Sequence, residues 1–431
     1  MLLVYVEEIT PRLQYIFRFI GRELFETNFQ LTTDLNFYKA QFVPKLNYSK
    51  SEIEEGEFYL RPVNLLFEHD LKEQHVECFE LNFHKAIFPV PGDFPMDIFA
   101  ASFFLMSRYE EWHFKKSNPN AHFSAEMSLA FREQFLREPL INIWINEFKT
   151  ALGQTFPDLT FHRKSFRQIL TYDIRSAYKV RYSTTNVKYR RLLNHLLKGN
   201  LHELGRDWNI MKGKVDDPYD FFERLDALHL YCRVKPYFFF NVSQQYINEN
   251  KILQQEIARL VEYYASNYRI GLLWNNKSSD DKDWVEVVTE QELTSSRHPG
   301  YEKSSMNYYQ KLVRANVHDD FSMGYSTTNG FRASVCSTFY WYDFENEIET
   351  DLKVFPVCFR DLSAINSGLD AAHSYQELMG YYNLVKKLNG ILVTSWSNEV
   401  LKSDPDFNDW NKMFELFMKE QVYWDAYRDQ D

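Results

Sequence analysis

Residues 167–174 read RQILTYDI, and this stretch sets the frame for everything that follows it in the chain. Polar and apolar residues alternate across it, which is the pattern of a strand. Further strands are expected at 236–242 (PYFFFNV), 268–274 (YRIGLLW), 331–336 (FRASVC), 353–359 (KVFPVCF) and 390–396 (GILVTSW). The stretches around 293–297 and 320–325 add two short ones. Helices are expected between several of these, at 219–232, 249–265, 304–315, 374–389 and 408–424. Strands alternating with helices over about 250 residues point to a parallel α/β arrangement. The number of strand signals, without a dinucleotide glycine fingerprint, favours a barrel, while an open sheet also fits.

Upstream, the polar stretch 153–165 (GQTFPDLTFHRKS) reads as a boundary, giving a smaller N-terminal α/β domain over 1–155 and the main unit over 156–431. Segment 2–6 reads as a strand and 11–25 as a helix. Residues 94–112 form a long apolar helix candidate with Asp93 as its N-cap. Apolar residues lie nearly all round it, so it is expected between layers. A helix is also expected at 139–152. Residues 176–218 interrupt the strand and helix rhythm and are rich in base: Lys179, Arg181, Lys188, Arg190, Arg191, Lys198, Arg206, Lys212 and Lys214. Such a stretch either solvates a helical face, pairs with the protein's own carboxylates, or holds an anion.

Composition narrows the function classes. Lys+Arg 49 against Asp+Glu 60 gives a net charge of −11, which argues against wholesale binding to nucleic acid or to a membrane surface. No apolar run approaches the ~18 residues of a membrane span. The start, MLLVYVEEITPRLQYIF, lacks the pattern of a signal peptide, so the cytoplasm is the expected location. The 4 cysteines (Cys78, Cys232, Cys336, Cys358) are scattered, with no CxxC, and read as free thiols of a reducing compartment. Oligomeric state is not encoded in any of these features.

In a barrel the strand C-terminal ends carry the site. Those ends supply Asp173, Arg175, Ser243, Trp274, Asn275, Arg297, His298, Arg332, Arg360, Asp361 and the run Trp396 to Asn398. The set is polar and aromatic, as a sugar pocket would be, and poor in histidine. The chain's 12 histidines include no HxH, HxxH or HxxxH pair, and there is no HExxH, GxSxG or phosphate-binding glycine loop. Asp173 and Arg175 stand two apart on one strand, hence on one face. They read either as a structural ion pair or as an anchored site carboxylate.

With those residues laid out, residues 166–424 resemble the polysaccharide deacetylase family. The whole chain resembles a bacterial two-domain group in which an extra N-terminal domain precedes the deacetylase-like barrel. The carrying segments are LTYDIRSAY (170–178), DDPYDFFERLDALHL (216–230), KPYFFFNV (235–242), YRIGLLW (268–274), MGYSTTNGFRASVCSTFYWYD (323–343) and GILVTSWSNEVL (390–401). DIFAASFFLMSRYEEW (97–112) fits the N-terminal domain of that group. The resemblance implies a distorted (β/α) barrel. It also implies one divalent metal, typically zinc, held by an Asp and two His, with an Asp as base and a late His as acid, activating water against an N-acetyl sugar.

Carried over position by position, Asp173 matches the general base and Arg332 the arginine that orients it. Arg297 is kept, His298 stands beside it, and Trp396 is kept on the last strand. Asp173 and Arg332 are therefore the expected catalytic pair, and Arg297, His298, Trp274 and Trp396 the expected sugar contacts. Arg175 stands where a metal-binding Asp belongs, Leu273 where a metal His belongs, and Ser397 and Glu399 where histidines are usual. No metal ligand set is assigned; zinc is expected only if an altered site functions. The leading expectation is a catalytically degenerate deacetylase homologue that acts on or binds an N-acetylated glycan. The alternatives are an active carbohydrate N-deacetylase with an altered ligand set and a non-enzymatic interaction protein. Nucleic acid and membrane are not expected partners.

Overall fold

The computed structural model describes residues 2–25, 29–119, 121–183, 185–243, 247, 250–274, 280–300 and 306–428. Two parallel sheets organise it. The first has strand order β2-β1-β3-β4, built from β1 (Leu3–Val6), β2 (Gln30–Thr32), β3 (Lys45–Tyr48) and β4 (Phe58–Tyr59). The helix α1 (Pro11–Phe25) packs with it, because Leu13, Ile16, Phe17, Ile20 and Leu24 fall on one helical face and are all buried. A short helix α2 (Leu35–Ala40) and a hairpin of β5 (Cys78–Leu81) and β6 (His84–Ile87) follow.

The apolar stretch expected as one helix over 94–112 is two helices, α3 (Ile98–Met106) and α4 (Tyr109–Ser117). Every residue of α3 is buried, as its all-round apolar sequence demands. Its N-cap is Asp97 rather than Asp93. The Asp97 carboxylate accepts from the backbone N–H of Ala100 and of Val63 and from the Tyr48 hydroxyl. Asp93 instead accepts from the Tyr59 N–H. The break falls at Arg108, whose φ of 57° no helix can carry. Two further helices, α5 (Leu129–Arg132) and α6 (Leu140–Thr155), complete this part of the chain.

The second sheet has the order β12-β13-β11-β10-β9-β8-β7-β15-β14. Its strands are β7 (Arg167–Ile174), β8 (Tyr237–Phe240), β9 (Arg269–Leu273), β10 (Ser295–Arg297), β11 (Asp319–Asp320), β12 (Phe339–Asp343), β13 (Ile348–Val354), β14 (Phe359–Arg360) and β15 (Ile391–Ser397). All pairings are parallel except β12 with β13. Between the strands run α7 (Thr185–Leu197), α8 (Leu201–Met211), α9 (Phe222–Cys232), α10 (Lys251–Asn267), α11 (Asp280–Thr289), α12 (Met306–Arg314), α13 (Asp361–Asn366) and α14 (Ala371–Lys387), with α15 (Asn408–Arg428) closing the chain. Alternation therefore reads the second unit as parallel α/β, and the inserted basic stretch is a pair of helices.

The sheet is curled. Tyr237, Phe239, Leu273, Phe321, Phe355, Val357, Ile391 and Val393 form a separate buried cluster on its inner face, with Ile169 packed against it. Strands far apart in the ladder thus meet through their side chains. Gly271 belongs to this packing: a Cβ there would lie 2.4 Å from the Phe239 ring. Among the described residues the hydrogen-bonded ladder itself is open, with β12 and β14 as its edges.

The stretch 331–336, expected as a strand, is irregular. Its backbone is engaged by the first part of the chain instead. Phe331 N–H donates to the Leu136 carbonyl, Ile141 N–H to the Ser334 carbonyl, and Cys336 N–H to the Asn142 side chain. Ser334 adopts a φ of 50°, which breaks any extended run. One strand that was not expected, β12, lies just beyond, in the YWYD tail, and the strand expected at 353–359 is instead the end of β13 (Ile348–Val354) and the start of β14 (Phe359–Arg360) with irregular chain between.

The two sheet units share one continuous core. Ion pairs cross between them, that of Glu111 with Arg332 buried. Glu111 on α4 takes both the Arg332 Nε at 2.9 Å and Nη2 at 2.7 Å, and also Arg108 at 3.1 Å. Arg12 on α1 reaches Glu347 at 2.5 Å, and Arg18 pairs with Glu349. Burial would raise the Glu111 pKa, but the charges of Arg332 and Arg108 outweigh it and hold Glu111 below the usual carboxylate value. Replacing Glu111 by Ala strands two buried guanidinium groups. The expected loss in a urea denaturation series is about 3–5 kcal/mol. A loss under about 1 kcal/mol would show that this bridge does not tie the units together.

Candidate functional site

On β7, side chains alternate between the two faces of the sheet. Ile169, Thr171 and Asp173 point inward, and Tyr172 points outward, where it stacks on Phe238 and its hydroxyl meets His229 Nε2 at 2.7 Å. The inner face changes character along the strands. Its lower part is the apolar cluster; its upper part, at the strand C-terminal ends, is charged and polar.

Asp173 lies at the centre of that polar layer with no exposed surface. Its Oδ1 accepts from Arg297 Nη1 at 2.6 Å, and its Oδ2 lies 3.5 Å from Arg360 Nη2. Arg297 is likewise fully buried. It spreads its donors over Asp173, the Ser395 hydroxyl at 2.9 Å, the Thr171 hydroxyl at 2.7 Å and the Phe321 carbonyl at 3.1 Å. Its guanidinium sits 4.6 Å over the Phe239 ring. One arginine thus spans from β10 to β7 and β15, with β8 and β9 between. The expected partner, Arg175, stands just outside the layer. It donates to the Pro299 carbonyl at 2.9 Å and lies 3.9 Å from Glu399.

These contacts set the protonation states. Burial opposes ionisation of Asp173, and Arg297, then Arg360 and Arg175, outweigh it, so its pKa lies below the usual range. Asp361 is different. Burial pushes it up to about 7, against the N–H groups of Ser397 and Leu362 that its carboxylate accepts. Burial likewise pushes Asp320 up to about 6, although Ser322 bonds it through both hydroxyl and N–H.

The other expected site residues are dispersed. Arg332, expected to orient Asp173, is held by Glu111 and the Gly324 carbonyl; the guanidinium on Asp173 is that of Arg297. Trp396, expected as a sugar platform, is fully buried on the outer face. It packs on Phe359, Phe414 and Phe417, and its indole N–H donates to the Thr394 hydroxyl. Trp274 is also buried, within the main core. His298 is buried beside Arg297, accepts the Gly300 N–H on Nδ1 and packs edge-on to Tyr308. Ser243 N–H donates to the Asn241 side chain. Asn275 lies outside the described residues. Two contributors that the sequence reading passed over, Thr171 and Ser395, share the inward face with Asp173, and period two alone would have placed them there.

The residues present do not fit a catalytic divalent metal. The candidate positions carry Asp173, Arg175, Leu273, Ser397 and Glu399. Leucine and arginine offer no donor to a cation, and the Asp173 carboxylate already faces two guanidinium groups. A doubly charged ion there would be repelled by Arg297 and Arg360. Among the described residues, no group of three or more His, Cys, Asp or Glu side chains is arranged to hold a metal ion. A cleft of about 440 Å³ lies away from this layer, lined by Trp112, Lys115, Lys116, Asn307 and Phe344.

Residues 2–157 match a family of unknown function, DUF7033. No curated protein matches the chain. Among solved structures the chain is similar to a presumed polysaccharide deacetylase from Mycobacterium smegmatis, at 12% identity and a TM-score of 0.38, over 61% of this chain and 86% of that one. It is also similar to 4-alpha-glucanotransferase from Thermococcus litoralis, at 10% identity and a TM-score of 0.36, over 61% of this chain and 38% of that one. Neither likeness is close enough to carry an activity across.

Two stability measurements test the site as described. Asp173→Asn leaves buried guanidinium charge without its counterion, and its expected cost is about 3–5 kcal/mol. Little or no loss would mean that the pair is dispensable. The pH dependence separates two carboxyls. Asp173, lowered in the folded state, contributes stability above its unfolded pKa that is lost as pH falls through the folded value. Asp361, raised to about 7, contributes stability that is complete below its unfolded pKa and lost as pH rises through about 7. Urea midpoints taken from about pH 5 to about pH 8 should therefore fall less in Asp361→Asn than in the unaltered chain. Equal slopes would contradict the raised pKa.

Proposed function

We propose that this chain is a polysaccharide deacetylase-like protein that binds an N-acetylated glycan and does not hydrolyse it. The unit over 156–431 is read here as a distorted (β/α) barrel of that type, preceded by the α/β domain over 1–155. The supporting observation is the 2.6 Å bond from Arg297 to Asp173, which puts a fixed guanidinium where a metal-dependent amidohydrolase needs a cation and two imidazoles. The carboxylate that would accept a proton from water is buried, ionised and already bonded. A base with a depressed pKa is also a weak one. Glycan contact falls to the groups above the layer, Arg175 and Glu399, whose side chains are 31% and 41% exposed.

A paired calorimetric and chemical test separates the parts of this reading. Titration with N-acetylglucosamine oligomers should give saturable heat that Arg175→Ala weakens about tenfold, about 1.4 kcal/mol. Incubation of the same oligomers with protein and added zinc should release no acetate above background. Acetate release that requires both zinc and Asp173 would return the chain to the active hydrolases. Absence of any glycan binding would remove the ligand part of the proposal.

A further inference from the structure

The helical pair between β7 and β8 plays no part in the inner polar layer, and its exposed face is unusual. On α7, Tyr189, Leu193, Leu196 and Leu197 recur at i, i+4, i+7 and i+8, the spacing of one helical face. A globular protein normally turns that face inward. Here it points out, with exposures of 67%, 54%, 57% and 75% in that order. On α8, Leu201 and Trp208, seven residues apart and so on one helical face, are exposed as well. The side of α7 that meets α8 is charged instead: Arg191 and His195 both reach the buried Asp207, at 2.5 Å and 3.1 Å. Burying a carboxylate between two helices while leaving leucines in water is costly unless something covers the leucines.

Charge surrounds this apolar face. Between 179 and 214 the chain has 9 lysines and arginines, and Glu203 and Asp207 are its only acids, in a protein of net charge −11. Arg181, Arg191 and Arg206 are committed to Asp220, Asp207 and Glu203. Arg190, Lys198, Lys212 and Lys214 are exposed beside the leucines and the tryptophan, and Lys212 lies 4.7 Å over the Trp208 ring.

We propose that this helical pair is a docking surface for an anionic lipid bilayer. Leucine, tyrosine and tryptophan side chains enter the boundary between headgroups and acyl chains, while the lysines and arginines meet the headgroup charge. The same face suits other occupants poorly. Leucine can neither stack on a base nor hydrogen-bond to one, so nucleic acid would leave the apolar part unused. A second copy paired symmetrically would bring two cationic faces together. The acidic remainder of the molecule is repelled from the same surface and so fixes its orientation. Among the described residues no helix is long and apolar enough to cross a membrane, so the contact lies in the interface. The net charge, an average over the whole chain, hides this local reversal of sign.

Co-sedimentation of the full chain with phosphatidylcholine vesicles, with and without phosphatidylglycerol, tests the proposal. Binding should appear with phosphatidylglycerol and fall at least about tenfold without it or in high salt. Leu196→Ser with Leu197→Ser, and separately Arg190→Glu with Lys198→Glu, should each weaken binding about tenfold while the circular dichroism stays unchanged. The proposal fails if the vesicles are bound equally or not at all, or if neither variant changes binding. It also fails if the leucine face instead drives a concentration-dependent dimer.

Discussion

A buried arginine on one strand, bonded to a buried aspartate several strands away, is the constraint on which the second unit rests. Neither Arg297 nor Asp173 can stay charged in a dry interior alone, and each is supplied by the other at 2.6 Å. The hydroxyls of Thr171 and Ser395 and the carbonyl of Phe321 satisfy further donors of the same guanidinium. Because these partners sit on or next to β7, β15 and β11, the bond network requires the sheet to curl until they meet. Apolar packing below the network does the same. Phe239 occupies the space that Gly271 leaves open and carries the arginine on its ring face. Charge pairing and packing therefore specify one curvature together.

That arrangement also decides the chemistry available. A carboxylate tuned to hold a metal or to take a proton from water needs an open coordination position or a pKa near the working pH. Asp173 meets neither need: Arg297 bonds its Oδ1, the Arg360 guanidinium stands 3.5 Å from its otherwise unbonded Oδ2 and would repel a metal ion there, and these charges lower its pKa. Meanwhile, at the neighbouring carboxyls Asp361 and Asp320, which accept from N–H and hydroxyl groups, burial outweighs the nearby guanidinium charge and raises the pKa. The polar layer thus holds one ionised acid between guanidinium groups, with two reluctant acids around it.

Much of this was legible in single residues, and the failures have physical causes. Alternation in RQILTYDI placed β7 to the residue. The same period-two logic, applied to GILVTSW, would have corrected Trp396. The parallel register sets Trp396 opposite Tyr172 and Ser397 opposite Asp173, so the indole faces outward and serine faces the aspartate. Arg332 was misplaced because its segment is built by long-range contacts with 136–142 and with Glu111, which no local pattern announces. The break at Arg108 was hidden because a left-handed residue inside an apolar run leaves no compositional mark. Asp93 was the cap expected from sequence, and the convergence of Tyr48, Val63 and Ala100 on Asp97 is what moves the cap four residues on. In the basic insertion, pairing with the protein's own carboxylates holds for Arg181, Arg191 and Arg206, while the outward leucines were invisible without knowing which helical face α8 covers.

The central claim is that protein cations, and not a bound metal, neutralise Asp173. Anomalous diffraction at the zinc edge from crystals soaked in zinc reads this directly. The account predicts no peak at Asp173, with the Arg297 guanidinium still on its carboxylate. A strong peak about 2.0–2.2 Å from an Asp173 oxygen, with Arg297 displaced, would contradict it.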